Sequence, residues 1–361
     1  MAKKVASRRA RRPRFLISRL LGEIYEQPDA IRRMLSVEAE RVAAISQQLA
    51  QRQFAYALVA ARGTSDNAAR YGQYVFGSIN QLSVALATPS LFTCYHTPPS
   101  LAGALVIGIS QSGQSPDIIS VIEEGRRQGA PTIAITNDLE SPLSAAAEFK
   151  IGLGVGEEHS VAATKTYTAQ LTAMALLALS LKGAAIEPLL GVPEALERAL
   201  DSEPQVEAAA ESLADCDHTV FIGRGFNYST AFEISLKCKE LANIQAEPYS
   251  SADFLHGPIA MVDEGFPVNL ISIGDTFRQE FDSLGAMLHE RGARLITIGD
   301  LPVEGHVEES DLFIPVPTGM PEWLSPIAAI LPGQLLAYHL AKRRGFDPDQ
   351  PRAIRKVTLT R

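Results

Sequence analysis

The chain repeats itself, and that repeat limits its fold more than any other feature. "YALVAARGTSDN" is answered by "HTVFIGRGFNYS", so that Gly63 corresponds to Gly225. "ALVIGISQSG" is answered by "VNLISIGDT", "GRRQGAPTIAITND" by "LHERGARLITIGD", and "EFKIGL" by "DLFIPV". These correspondences keep one offset of about 162 residues to within a couple of positions, the mark of a duplicated structural unit. In the first copy, strands are expected in "FAYALVAARGTS", "ALVIGIS", "PTIAITND" and "FKIGL". Helices are expected in "DNAARYGQYVFGSI", "PDIISVIEEGRRQGA" and "SPLSAAAE". Short apolar runs alternating with helical stretches read as βαβ units around a parallel sheet. The expected fold class is α/β: two similar tandem domains, each a mostly parallel sheet flanked by helices. The boundary is expected near "GVPEALERALDSEP", with domains over 23–190 and 191–361.

The 361 residues suit two domains. The net charge of −8 is uneven, because the first 22 residues hold eight Lys or Arg and no acid. Segment 1–22 is expected to be a disordered basic tail, and a nucleic-acid arm stays open as an alternative. The acidic body argues against nucleic acid as the main partner. No apolar run approaches the roughly eighteen residues of a membrane span, and no secretory leader is expected. Cys94, Cys216 and Cys238 form no CxxC pattern, so reduced thiols and a cytoplasmic setting are expected.

The stretch "ISQSGQSPDII" ends an apolar strand in small hydroxyl residues. Ser115-Pro116-Asp117 suits a helix start, with serine as N-cap and proline in the first turn. That leaves Ser110, Gln111, Ser112 and Gln114 unexplained, and a phosphate explains them. The free N–H groups of a helix start attract an anion, and hydroxyls add hydrogen bonds around it. The second copy has Ser272-Ile273-Gly274-Asp275 at this place. A carboxylate there opposes an anion, so one site per chain is expected. "GRGFNYS" lacks the third glycine of a dinucleotide loop and reads as a strand-to-helix turn. No cofactor is expected.

In "AFEISLKCKELANIQAEPYSSADFLHGP", Glu233, Lys237 and Glu240 fall three or four apart on one helical face. A solvated salt-bridge ladder is the plain reading. The stripe leads, however, to Glu247 and to His256, held between an apolar pair and Gly-Pro, where an imidazole suits proton transfer. "GEEHSVAATKTYTAQL" adds Glu158, Val161, Thr164 and Lys165 at a helix entry. His159 has no second histidine at ligand spacing, so no metal is expected.

Together "ARGTS", "ISQSGQSPD", "EEHSVAATKTYTAQL", "GRGFNYSTAFEISLKCKE", "AEPYSSADFLHGP" and "DQPRAIRKVT" resemble, in this order, the double sugar-isomerase (SIS) domain family. The resemblance covers roughly 20–361 and implies two flavodoxin-like three-layer domains. It implies a sugar-phosphate loop formed by Ser110, Gln111, Ser112 and Ser115 with Thr64 and Ser65, and Val161 lining the sugar. Glu240 matches the carboxylate that moves a proton between C1 and C2, and Lys237 a lysine beside it. His256 matches a ring-opening histidine supplied by the neighbouring subunit, which implies a homodimer. Lys356 matches a lysine able to form a Schiff base. Within the family, Gln114 and Gln245 depart from an acid and a histidine of the glutamine-dependent synthase, whose glutaminase domain is not expected here. "SQSGxSPDI", "GEExxVAATK" and "SSAxFLHGP" look closest to glucosamine-6-phosphate deaminases. A ketose/aldose isomerase, a fructosamine-6-phosphate deglycase, an ammonia-dependent synthase and a non-catalytic sugar-phosphate sensor are the alternatives.

Overall fold

The computed structural model describes residues 18–303, 311–317 and 319–356. The expected basic tail lies, over 1–17, outside the described residues. Its last residues are not tail: Arg19–Tyr25 is a helix that buries Leu20, Leu21 and Ile24.

Strands β1 (Tyr56–Ala60), β2 (Ser83–Leu86), β3 (Ala104–Ile109), β4 (Thr132–Thr136) and β5 (Phe149–Gly152) form the first sheet. Strands β6 (His218–Gly223), β7 (Gln245–Ser250), β8 (Pro267–Ser272), β9 (Arg294–Gly299) and β10 (Leu312–Pro315) form the second. The orders are β2-β1-β3-β4-β5 and β10-β9-β8-β6-β7. Read from opposite edges they are the same order, and every pairing is parallel. The duplication seen in the sequence is thus a duplication of topology. Gly63 and Gly225 also share a positive φ, +54° and +57°, which glycine adopts without steric cost.

Two strands escaped the sequence pattern, and both are edges. β2 is short and half exposed, and β7 carries Pro248. An edge strand tolerates proline because its outer N–H needs no partner.

Alternation along the strands builds three layers of core. Ala57 and Val59 face one side of β1 and Leu58 and Ala60 the other, joining different apolar clusters. The inner faces of both sheets share one continuous core with the helices Lys165–Lys182 and Ser325–Arg343. The outer face of the second sheet packs separately around Val220, Val268 and Phe281. The segment Glu322–Arg343 is long and apolar enough to cross a membrane, yet 94% of its most apolar 18-residue stretch is buried inside the protein. It is a core helix wedged between the two sheets. This shared layer brings the carboxyl ends of first-sheet strands against a helix of the second domain, which positions the site.

Candidate active site

The serine loop follows β3. The Ser110 hydroxyl is buried, accepts from the Gly113 N–H at 3.2 Å and lies 3.3 Å from the Ser115 hydroxyl. Ser112 accepts from the Gln114 N–H at 3.3 Å. Gly113 has φ +63°, and a Cβ there would fall 2.1 Å from the Ser141 Oγ, so only glycine lets the loop close. Ser115 stands at the N-cap of helix Pro116–Arg127, but its hydroxyl makes no cap bond. The expected capping role is therefore corrected: Ser115 holds the position, and its side chain joins the Ser110 cluster. The fully buried Asp117 accepts from the Arg62 Nε at 2.7 Å, tying the loop after β1 to this one.

The loop after β1 starts helix Thr64–Asn80. Thr64 donates to Glu233 at 3.0 Å, and Ser65 accepts from Gln170 at 3.0 Å. Both residues face the same cleft as Ser110, Gln111, Ser112 and Ser115.

Across the cleft runs helix Tyr228–Ala242 of the second domain. The stripe Glu233, Lys237 and Glu240 is no solvated ladder. Glu233 and Lys237 are 0% and 1% exposed, and Glu240 is 23% exposed. Lys237 lies 3.5 Å from Glu233 and makes a close ion pair with Glu240. Burial pushes the Glu233 carboxyl up to about 7, although Lys237, Asn67 and Thr64 favour its charged form. Burial works against the Lys237 charge as well, but Glu240 and Glu233 outweigh it and raise its pKa. Lys237 is thus a buried cation that aims the Glu240 carboxylate, the most exposed of the three.

The third wall comes from the loop before helix Lys165–Lys182 and from the C-terminal segment. Thr164 at the N-cap supplies no side-chain bond. Glu158 caps the helix in its place, accepting from the Thr164 and Thr166 N–H groups at 2.9 and 3.1 Å and from the Thr166 hydroxyl at 2.8 Å. A carboxylate at a helix N-terminus is favoured by the dipole. Lys356 then reaches this buried Glu158 at 2.8 Å and the Ser160 carbonyl at 2.6 Å. Val161, Lys237, Glu240 and Lys356 line a cleft of about 320 Å³ with the two hydroxyl loops. His256 does not: it is exposed on the turn after helix Ser251–Leu255 and lines no part of its own chain's cleft.

Sequence reasoning missed Arg62, Arg355 and Ala163, which line the cleft too. It also misplaced the carboxylate of the second copy. Asp275 is exposed. Instead Asp300 accepts the Gly274 N–H at 3.0 Å and pairs with Arg278. Glu322 accepts from Thr276 at 2.5 Å. The second loop is closed by these neighbours.

Residues 52–180 and 212–342 both match the SIS domain family model, and the chain belongs to that family. It is 38% identical over 356 residues to a glutamine–fructose-6-phosphate aminotransferase (isomerizing) of Gloeobacter violaceus, covering 93% of this chain and 58% of that protein. The chain thus spans little more than half the length of such relatives. A crystal structure described as a candidate phosphosugar isomerase from Silicibacter pomeroyi DSS-3 superposes with a TM-score of 0.83 at 31% identity, over 92% of this chain and 100% of that one. The C-terminal domain of the glucosamine-fructose-6-phosphate aminotransferase from Francisella tularensis also has a TM-score of 0.83, at 28% identity, over 92% and 98%.

Proposed function

We propose that the protein is a sugar-phosphate enzyme that converts glucosamine 6-phosphate and water to fructose 6-phosphate and ammonia. The supporting observation is that one cleft joins a hydroxyl-lined loop, apt for phosphate, to a carboxylate held by a buried lysine. The phosphate does not react, so its binding energy holds the open sugar chain in place. Glu240 then takes the proton from C2 and returns it to C1, and water attacks the resulting C2 imine to release the amine. One base serves both carbons because it stands on a rigid helix. The Lys356 ammonium already has two acceptors in the cleft wall, so it serves as a cation there. Imine formation through it needs release from Glu158. In this reading His256 opens the ring from a neighbouring subunit of a homodimer.

Purified protein is expected to release ammonia and fructose 6-phosphate from glucosamine 6-phosphate, with turnover lost in Glu240→Gln. No turnover by the wild type on any phosphorylated amino sugar, or unchanged turnover in the variant, overturns the reading. The similarity to aminotransferases favours a second direction, from fructose 6-phosphate and an amine donor to glucosamine 6-phosphate. Assays started from each side separate the two.

A further inference from the structure

The segment "GEIYEQP" at 22–28 precedes the first family-matched region, which starts at residue 52. Two of its polar side chains, Glu23 and Gln27, are nonetheless buried in the protein. Glu23 is 5% exposed, and its carboxylate takes two successive backbone N–H groups, His159 at 2.5 Å and Ser160 at 3.3 Å. Glu26 pairs at 3.0 Å with Lys165, which is 3% exposed and also lies 3.9 Å from Glu23. Gln27, fully buried, accepts from Thr168 and donates to Gln334, each at 2.6 Å, and Gln334 donates to the Thr164 carbonyl at 3.2 Å. Three neighbouring side chains therefore fix the loop that runs from His159 into helix Lys165–Lys182.

That loop carries the Ser160 carbonyl, one of the two acceptors of Lys356. The C-terminal segment also returns to the same helix, because the Asp349 carboxylate accepts the Arg19 and Leu20 N–H groups at 3.0 and 2.9 Å. The connection is closed: helix Arg19–Tyr25 is held by Asp349 of the C-terminal segment, and Glu23 of that helix holds the loop that receives Lys356 of that segment. A helix whose only task was to cover the core would need Leu20, Leu21 and Ile24, but not a buried carboxylate. Burying one without partners is costly, and here its partners are the amides beside the cleft.

We propose that Glu23 is a positioning residue for the cleft, acting through the His159–Ser160 backbone to place Lys356. The catalytic part rests on the reading of the cleft as a sugar-phosphate site; the positional part does not. Glu23→Gln keeps one carbonyl oxygen for two amides and turns an NH₂ toward the other. Glu23→Asp keeps the charge near Lys165 but is too short to reach both amides. Glu26→Gln breaks the Lys165 pair and touches neither amide.

The first readout is reductive methylation of intact protein with formaldehyde and cyanoborohydride, followed by peptide mass spectrometry. Lys356 should be methylated several-fold faster in Glu23→Gln, with the other lysines unchanged and Glu26→Gln like the wild type. The second readout is steady-state turnover of glucosamine 6-phosphate. Glu23→Gln should lower kcat by about 10-fold with KM little changed, because a displaced group costs rate more than ground-state binding, and Glu23→Asp should restore part of it. If Glu23→Gln does not fold, Glu23→Asp carries both readouts. Unchanged Lys356 reactivity in the folded variant overturns the proposal, as does an equal rise in Glu26→Gln. Faster methylation with no wild-type turnover supports the positioning and overturns the deaminase reading alone.

Discussion

The two copies of the strand–loop–helix unit share order, register direction and a positive-φ glycine, yet only one leaves its loop open. After β3, Ser110, Ser112 and Ser115 crowd hydroxyls at the cleft mouth. After β8, the Gly274 N–H is already donated to Asp300, and Arg278 is paired with the same carboxylate. By strand register the equivalent of Asp300 in the first copy is Asn137, an uncharged amide that donates to the Gly156 carbonyl at 2.8 Å and accepts from the Val155 N–H at 3.4 Å. An amide in place of a carboxylate thus separates the first loop from a loop that carries its own anion. A duplicated fold supplies two candidate sites. On the proposed reading, local charge removes one and leaves the second domain to supply Glu240.

The strongest break in this division of labour is Glu240→Gln, which should lower kcat by about 10²–10⁴-fold, the usual range for a positioned acid–base group. Binding of fructose 6-phosphate should persist, which calorimetry can check. Next is the double variant Ser110→Ala/Ser112→Ala. Each hydrogen bond to a charged phosphate contributes about 1.5–3 kcal/mol, so KM for glucosamine 6-phosphate should rise by roughly 10²-fold or more. Ser272→Ala in the other copy should leave KM unchanged. Asp300→Ala should cost about 1–3 kcal/mol by leaving Arg278 and the Gly274 N–H without their acceptor, measured by urea denaturation. It should not change turnover.

The smallest expected effect concerns pH. The Glu233 carboxyl is raised in the folded state to about 7 from its ordinary 4.5. The folded protein therefore binds more protons than the unfolded chain between these values, and stability falls as pH rises through that window. The raised Lys237 acts only at alkaline pH, so it does not offset this slope. Glu233→Gln should flatten the loss of stability between pH 4.5 and 7, as read by denaturant midpoints across that range.

The repeat made the strand and helix order of both domains legible, because apolar periodicity survives duplication. The edges were hidden: β2 has little buried surface to write a pattern, and Pro248 reads as a break in β7. The hydroxyl-rich Ser110–Ser115 loop stood out in the sequence because its polarity exceeds what a helix cap needs, and the structure gathers Ser110, Ser112 and Ser115 at one cleft. The direction of a single hydroxyl or carboxylate was not, which is why Ser115 looked like a cap and Asp275 looked like the blocking acid. Helical spacing left a solvated ladder open for Glu233 and Lys237, because spacing alone cannot tell a surface from a domain interface. Glu23 carried no signal, because its partners are backbone amides more than a hundred residues away.

The protein is expected to hold one anion site per chain, in the first domain. Isothermal titration of the protein with fructose 6-phosphate, without an amine donor, measures this directly. One sugar phosphate per chain, lost in Ser110→Ala/Ser112→Ala and retained in Ser272→Ala, is the predicted result. Two per chain, or binding that depends on Ser272 and ignores the first loop, would contradict it.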